Sequence, residues 1–277
     1  MPPSGCAFPS SGADRAQLAM ALEVLASPKP GNVDRCHDYP ETRIEHFIAS
    51  ALAARPALEA TEARRAGLGP LIEGAVGATA CHVGGNTHFG AFILLVPLVY
   101  GGTPEGALAA IRATTVEDAV AFYRAFALTR VRVPAEDELD VNDPRAADLL
   151  RERGMTLLDV MAHSAPRDMV AREWVNGFAL SRRAADALLA DSEPRTAIRR
   201  VFLSLLATEP DTFIEKKHGA ARAGETRERA IAVVRGEASL ESLDAWCLAH
   251  GVNPGSLADI TIAAIYLALG RGWGWDS

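Results

Sequence analysis

Apolar residues recur at intervals of three and four along most of this 277-residue chain, and that period constrains the fold more than any other feature. Leu18, Leu22 and Leu25 form one such series; Ile44, Phe47, Ile48, Ala51 and Leu52 form a second. Leu68, Leu71, Ile72, Ala75, Val76 and Thr79 share one face of a third. Each series predicts a helix with one side on a core. Alternating apolar and polar β-branched segments are nearly absent, and alanine and leucine dominate, so the expected fold is all-α. Helix starts are expected at Thr42 with Glu45, at Thr103 before Pro104, and at Thr115 with Asp118, where capping residues stand at capping-box spacing or ahead of a proline. The charged, proline-marked stretch from Val131 to Pro144 reads as a surface connection. No boundary divides the chain, so a single compact multi-helix domain over 1–277 is expected, with 1–12 disordered.

Composition narrows the function classes. Hydrophobic residues make up 49% of the chain, enough for a substantial core. A net charge of −7 removes the basic footprint of a general nucleic-acid binder. The apolar run from Ala91 to Tyr100 is far shorter than the roughly 20 residues a membrane span needs, so it reads as a buried helix. The N-terminus has no basic residue ahead of an apolar segment, unlike a signal peptide, and a cytoplasmic protein is expected. The four cysteines are scattered without a CxxC, which suits reduced thiols. Cys36-His37 and Cys81-His82 form two Cys-His pairs, but adjacent residues rarely aim the same way, which disfavours a zinc site.

Four loops break the helical pattern with residues a core does not want, and chemistry is expected there. In the first, SPKPGNVDRCHD, Pro28 and Pro30 stiffen the backbone around Lys29 and Gly31 permits a tight turn. Lys29 and Arg35 are candidates for phosphate oxygens; Asp34 and Asp38 are candidates for a hard cation bridging the same phosphates. A plain helix-connecting turn would also explain PKPG. In the second, VGGNTHFG, glycines including Gly85 allow close backbone approach, and Asn86, Thr87 and His88 supply donors and acceptors ahead of a helix N-terminus. The third carries Asp211 and Thr212 ahead of Lys216, Lys217 and His218. In the fourth, Ser256 and Asp259 have capping-box spacing before an apolar helix. Walker, GxGxxG, HExxH and GxSxG motifs are all missing from the sequence.

Taken in order, PKPGNVDR with Asp38, Phe47 and Ser50, GGNTHFG, DTFI and NPGSLAD resemble the triphosphoribosyl-dephospho-CoA synthases, which serve citrate and malonate decarboxylating systems. Two departures mark a divergent branch: Phe89 stands where the family commonly has a basic residue, and the NPGS stretch has one glycine where the family has two. The resemblance implies a transferase in which the 2′-hydroxyl of dephospho-CoA attacks the anomeric carbon of ATP's ribose and adenine departs. It implies Mg²⁺ with ATP as substrate, and Asp34, His88, Asp211 and Asp259 as catalytic residues. Lys29, Gly31, Asn32, Arg35, Gly85, Asn86, Thr87, Thr212 and Ser256 are the expected substrate contacts, and Asp34, Asp38, Asp211 and Asp259 the expected metal ligands. Small-molecule partners are expected, without nucleic acid or membrane, and a homodimer is the assembly considered. Transfer of a phosphoribosyl group to another acceptor, such as a one-carbon carrier precursor, and a nucleotide-binding regulator without turnover are the alternative readings.

Overall fold

The computed structural model describes residues 9–85, 87–129 and 145–274. Helices account for nearly all of its regular structure. The first half holds α1 (Gly12–Leu25), α2 (Ile44–Ala53), α3 (Arg55–Glu62), α4 (Leu68–Ala78), α5 (Phe89–Gly101), α6 (Pro104–Arg112) and α7 (Val116–Leu128). The second holds α8 (Ala146–Arg153), α9 (Leu157–Ser164), α10 (Met169–Asn176), α11 (Ala179–Ala190) and α12 (Pro194–Thr208). After these come α13 (Thr212–His218), α14 (Ala220–Val234), α15 (Leu240–Ala249) and α16 (Gly255–Gly270). There is no strand among the described residues, only an isolated bridge between Tyr39 and Thr42. The surface connection expected at Val131–Pro144 lies outside them, as do residues 1–8 of the segment expected to be disordered. Ser11 already caps α1 by accepting the backbone N–H of Asp14.

Two helices are apolar on every side and form the centre. In α5, Ala91 through Val99 are all buried, and in α16 the same holds for Ile260 through Leu269. A helix without a polar face is stable only when neighbours surround it. α5 is enclosed by α4, α6, α10 and α16, and α16 by α1, α5, α11 and α12. Single helices long and apolar enough to cross a membrane are absent among the described residues; α5 and α6 reach that length only as a pair bent by 102°.

Where helices pack closely, small residues take the inner face and displace the expected leucines outward. α1 turns Ala13, Ala16, Ala19 and Met20 inward, while Leu18 and Leu22 are partly buried and Leu25 is exposed. Glu23 lies on the buried face of α1, 2% exposed. α2 likewise buries Ser50 and Ala51 and leaves Leu52 exposed, so of the apolar series predicted for it Ala51 is buried, Ile44, Phe47 and Ile48 are half-buried, and Leu52 faces away from the core. The third series is buried as expected, from Leu68 through Thr79. Thr103 and Thr115 cap their helices as predicted. Thr42 does not cap α2: its hydroxyl donates to the Gly84 carbonyl, and Nδ1 of His46 accepts the Arg43 N–H at the helix start. The pull of a tertiary partner on Thr42 outweighs a local cap worth about 1 kcal/mol.

Candidate active site

The loop between α1 and α2 turns Lys29 and Asp34 inward. Asp34 Oδ2 accepts the backbone N–H of Lys29 at 2.8 Å, and Oδ1 accepts that of Cys36 at 2.7 Å. The Lys29 ammonium is buried, ion-paired with Glu23 and 5.9 Å from the centre of the Phe202 ring. Burial raises the Glu23 pKa, and Lys29 opposes that rise. Gly31 has φ +71° and presses against the fourth loop, where a Cβ would stand 2.2 Å from the Val252 carbonyl oxygen. Its N–H donates to Asp244, and Tyr39 donates its hydroxyl hydrogen to its carbonyl. Asn32 is buried with Nδ2 unpartnered, while Arg35 and Asp38 are exposed; Asp38 accepts the Ile44 N–H.

The second loop leads into α5. Asn86 lies outside the described residues. Gly85 is exposed with φ +71°, the left-handed region that glycine tolerates best. Thr87 Oγ1 meets Ser50 Oγ at 2.5 Å. His88 precedes α5, is 1% exposed, and has no hydrogen-bond partner on either ring nitrogen. Its ring stands edge-on to Phe47, with centroids 5.2 Å apart. Burial, with help from His82 and Lys29, pushes its pKa down to about 3, so the imidazole is neutral. Phe89, where a basic residue was expected from the resemblance, packs between Phe122 and Phe126.

The third and fourth loops are tied together by one carboxylate. Asp211 Oδ1 accepts the N–H groups of Phe213 and Ile214, capping α13, and Oδ2 accepts that of Leu257 in the first turn of α16 at 2.8 Å. Desolvation raises its pKa to about 6 even against those three donors. Thr212 Oγ1 accepts the Met169 N–H and lies 3.2 Å from Ser256 Oγ. Ser256 and Asp259 do not form a capping box: Pro254 stands at the helix start without a side-chain cap, Ser256 turns to Thr212, and Asp259 turns to α5.

Asp259 joins the loops into one site. It is drawn to the N-terminal turn of α5, where the Ala91 N–H favours its ionised form, and a Cβ on Gly90 would fall 2.0 Å from its Oδ2. Burial pushes its pKa well up, and Glu23, Asp211 and Asp168 push the same way. The start of α5 and the N-terminal part of α16 thus meet at Asp259, within the field of Glu23 near the end of α1 and Asp211 of the third loop. Asp168, which caps α10 and pairs with Lys216, closes that side.

Among the predicted residues, Lys29, Asp34, His88, Asp211, Thr212, Ser256 and Asp259 belong to this connected region, and Gly31 is pinned to the fourth loop. Arg35 and Asp38 stay at the surface. The sequence reading did not single out Glu23, Asp168 or Asp244, and it named His82 only within the disfavoured Cys-His zinc pairing. Glu23 was detectable in principle, because it stands three residues after Met20 and seven after Ala16, on the face that turns inward. Groups of three or more His, Cys, Asp or Glu side chains placed to hold a metal are absent among the described residues. Magnesium asks for less, typically one or two carboxylates beside phosphate oxygens and water. Both oxygens of Asp34 and of Asp211 already accept backbone hydrogens, whereas Asp259 sits among carboxylates whose mutual repulsion a divalent cation relieves. That donor set fits magnesium carried in with a polyphosphate.

Comparison with known proteins bears on the family and the fold. No curated protein matches the chain. A crystal structure from Archaeoglobus fulgidus, provisionally described as a triphosphoribosyl-dephospho-CoA synthase, is similar at 29% identity and a TM-score of 0.70; the match covers 82% of this chain and 100% of that one. The family model described as CitG, ATP:dephospho-CoA triphosphoribosyl transferase, matches residues 9–277. A chain matched over that length, with the family's four loops meeting at the joined ends of its two central helices, belongs to the ATP:dephospho-CoA triphosphoribosyl transferase family.

Proposed function

We propose that this chain transfers the triphosphoribosyl group of ATP to the 2′-hydroxyl of dephospho-CoA with loss of adenine. The observation that carries the reading is Asp259, which joins the start of α5 to α16 within the field of Glu23 and Asp211 in a chain that matches the family along its whole described length. Breaking a glycosidic bond leaves the sugar with oxocarbenium character, and fixed negative charge beside it stabilises that state. Asp259 is the carboxyl group placed to supply this charge once a cation held against it offsets the burial that raises its pKa. Asp259 is the protein carboxylate that would hold magnesium, which when bound would offset the charge of the triphosphate.

Lys29 serves the site indirectly, as the buried partner of Glu23 that opposes the rise in its pKa. Asp34 holds the Lys29 backbone, and Asp211 holds the start of α16; both position loops. His88, neutral and unpartnered in a buried position, offers a hydrogen bond to the nucleotide. Gly31, Asn32, Gly85, Asn86, Thr87, Thr212 and Ser256 shape the surrounding walls, and Arg35 and Asp38 form the outer rim that meets phosphate.

Incubating the pure protein with ATP, Mg²⁺ and dephospho-CoA tests the reading. Free adenine and a product heavier than dephospho-CoA by one triphosphoribosyl group are expected, both requiring dephospho-CoA. Nucleotide binding without base release would overturn it, as would adenine release that ignores dephospho-CoA.

A further inference from the structure

Next to the carboxylate-rich part of the site lies a sector of imidazole, hydroxyl and aromatic groups: His46, Phe47, Ser50, His82, Thr87 and His88. Its hydrogen bonds have a direction. The Gly84 N–H points at His82 Nδ1, 3.2 Å away, so Nδ1 is the acceptor nitrogen and a neutral His82 carries its hydrogen on Nε2. His82 Nε2 lies 2.6 Å from Ser50 Oγ, which accepts that hydrogen. Ser50 then has its own hydrogen for Thr87 Oγ1 at 2.5 Å. Thr87, already accepting from Ser50, has its hydroxyl hydrogen left for a further partner. His46 stacks on His82 with centroids 4.9 Å apart, and Nδ1 of His46 is tied to the Arg43 N–H, so the donor ring is held from behind. Burial and the neighbouring His46 ring lower the His82 pKa, against a hydrogen bond with the His46 backbone that raises it, so the neutral ring is favoured.

We infer that His82 and Ser50 are positioning residues that orient the Thr87 hydroxyl as a hydrogen-bond donor to the departing adenine of ATP. The inference rests on the transfer reading above. Neutral, aromatic surroundings suit a purine and offer nothing to a polyphosphate, which the charged sector around Asp259 serves. As the C1′–N9 bond breaks, its electron pair goes to adenine and spreads over the ring nitrogens. A donor aimed at one of them gains strength in that transition state, more so when it is polarised by two hydrogen bonds in series. His82 has no spare proton while Nδ1 faces Gly84, so the chain supplies a hydrogen bond and no net proton. The proton lost by the attacking 2′-hydroxyl balances the one adenine takes up.

Histidine ¹⁵N NMR of the wild-type protein reads the tautomer without any activity. A pyridine-like Nδ1 and a protonated Nε2 on His82 are expected, and the reverse tautomer would overturn the relay. In steady-state kinetics Thr87→Val and Ser50→Ala should each lower kcat on the order of 10²-fold with KM little changed. Thr87→Ser should stay within a few-fold of wild type. The double variant Ser50→Ala/Thr87→Val should lose no more than Thr87→Val alone, because the groups act in series. Additive losses, or a raised KM for either substrate at unchanged kcat, would overturn the assignment to the leaving base. Wild-type protein that releases no adenine would instead overturn the transfer reading, while the tautomer would still report on the relay.

Discussion

Lys29 in the loop before α2 and His88 in the loop before α5 are equally buried, each 1% exposed, yet they are treated in opposite ways. Lys29 is a charge, and the fold matches it with Glu23 and fixes its backbone through Asp34. His88 is a neutral ring, and the fold gives neither of its nitrogens a partner. A buried charge without a partner is far costlier than a buried neutral polar group. The first loop therefore carries the burden of holding the site together, and the second keeps hydrogen-bonding capacity in reserve. The prolines of PKPG fit that division. They stiffen a segment whose lysine closes inward on the protein.

That contrast breaks most visibly at Lys29. Lys29→Met leaves the Glu23 carboxylate buried and unpaired, and a loss of about 3–5 kcal/mol in unfolding free energy is expected from denaturant titration. Adding Glu23→Met should restore much of it, because removing both charges removes the mismatch. If Lys29→Met is as stable as wild type and only binds ATP more weakly, the lysine reaches phosphate and the inward ion pair is not its role.

Asp211 belongs with Lys29 on the structural side. Asp211→Ala orphans the N–H groups of Phe213, Ile214 and Leu257, and should cost about 3 kcal/mol with α13 and the start of α16 loosened. Hydrogen exchange at Leu257 would report the loosening directly. Unaltered protection there would return Asp211 to a purely chemical role.

His88→Phe is the converse case. It removes two unpartnered buried nitrogens and keeps the ring shape, so stability should be unchanged or higher by up to about 1 kcal/mol while transfer slows by about 10²-fold. A substantial fall in stability would show that His88 is held by interactions the fold needs.

The last test is a difference in pH dependence, small near neutral pH. The His88 pKa is depressed to about 3, so below its ordinary value near 6.5 the unfolded chain binds a proton that the folded chain refuses. Stability from this group is complete above pH 6.5 and falls as pH drops towards 3. Asp211, raised to about 6, has the opposite sign: the folded chain holds its proton longer, and stability falls as pH rises from about 4 to 6. His88→Phe should therefore gain on wild type as pH falls from 6.5, by at most about 1.4 kcal/mol per pH unit. A constant gap between the two proteins across that range would mean the imidazole titrates normally.

Much of this architecture can be read without a structure, and the reason is period. A helix repeats every 3.6 residues, so the apolar series at Leu68–Thr79, the continuous run in α5 and the caps at Thr103 and Thr115 are local statements that packing had no cause to override. Local patterns were overruled where a tertiary partner made a better offer: Thr42 turned to Gly84, Ser256 to Thr212, and α1 packed on its alanines with its leucines partly outside. The ordered motifs PKPGNVDR, GGNTHFG, DTFI and NPGSLAD were enough to point to the family, since residue identity and order along a chain need no coordinates. What Lys29, Asp34, Asp211 and Asp259 do was decided only by the folded molecule. A lysine or an aspartate in a loop is the same symbol whether it faces solvent or the interior. Its role is set by desolvation and by which charges and backbone N–H groups come within hydrogen-bond reach from distant parts of the chain. Glu23 met Lys29 across five intervening residues, Asp211 met Leu257 across forty-five, and Asp259 met Gly90 across the whole middle of the protein.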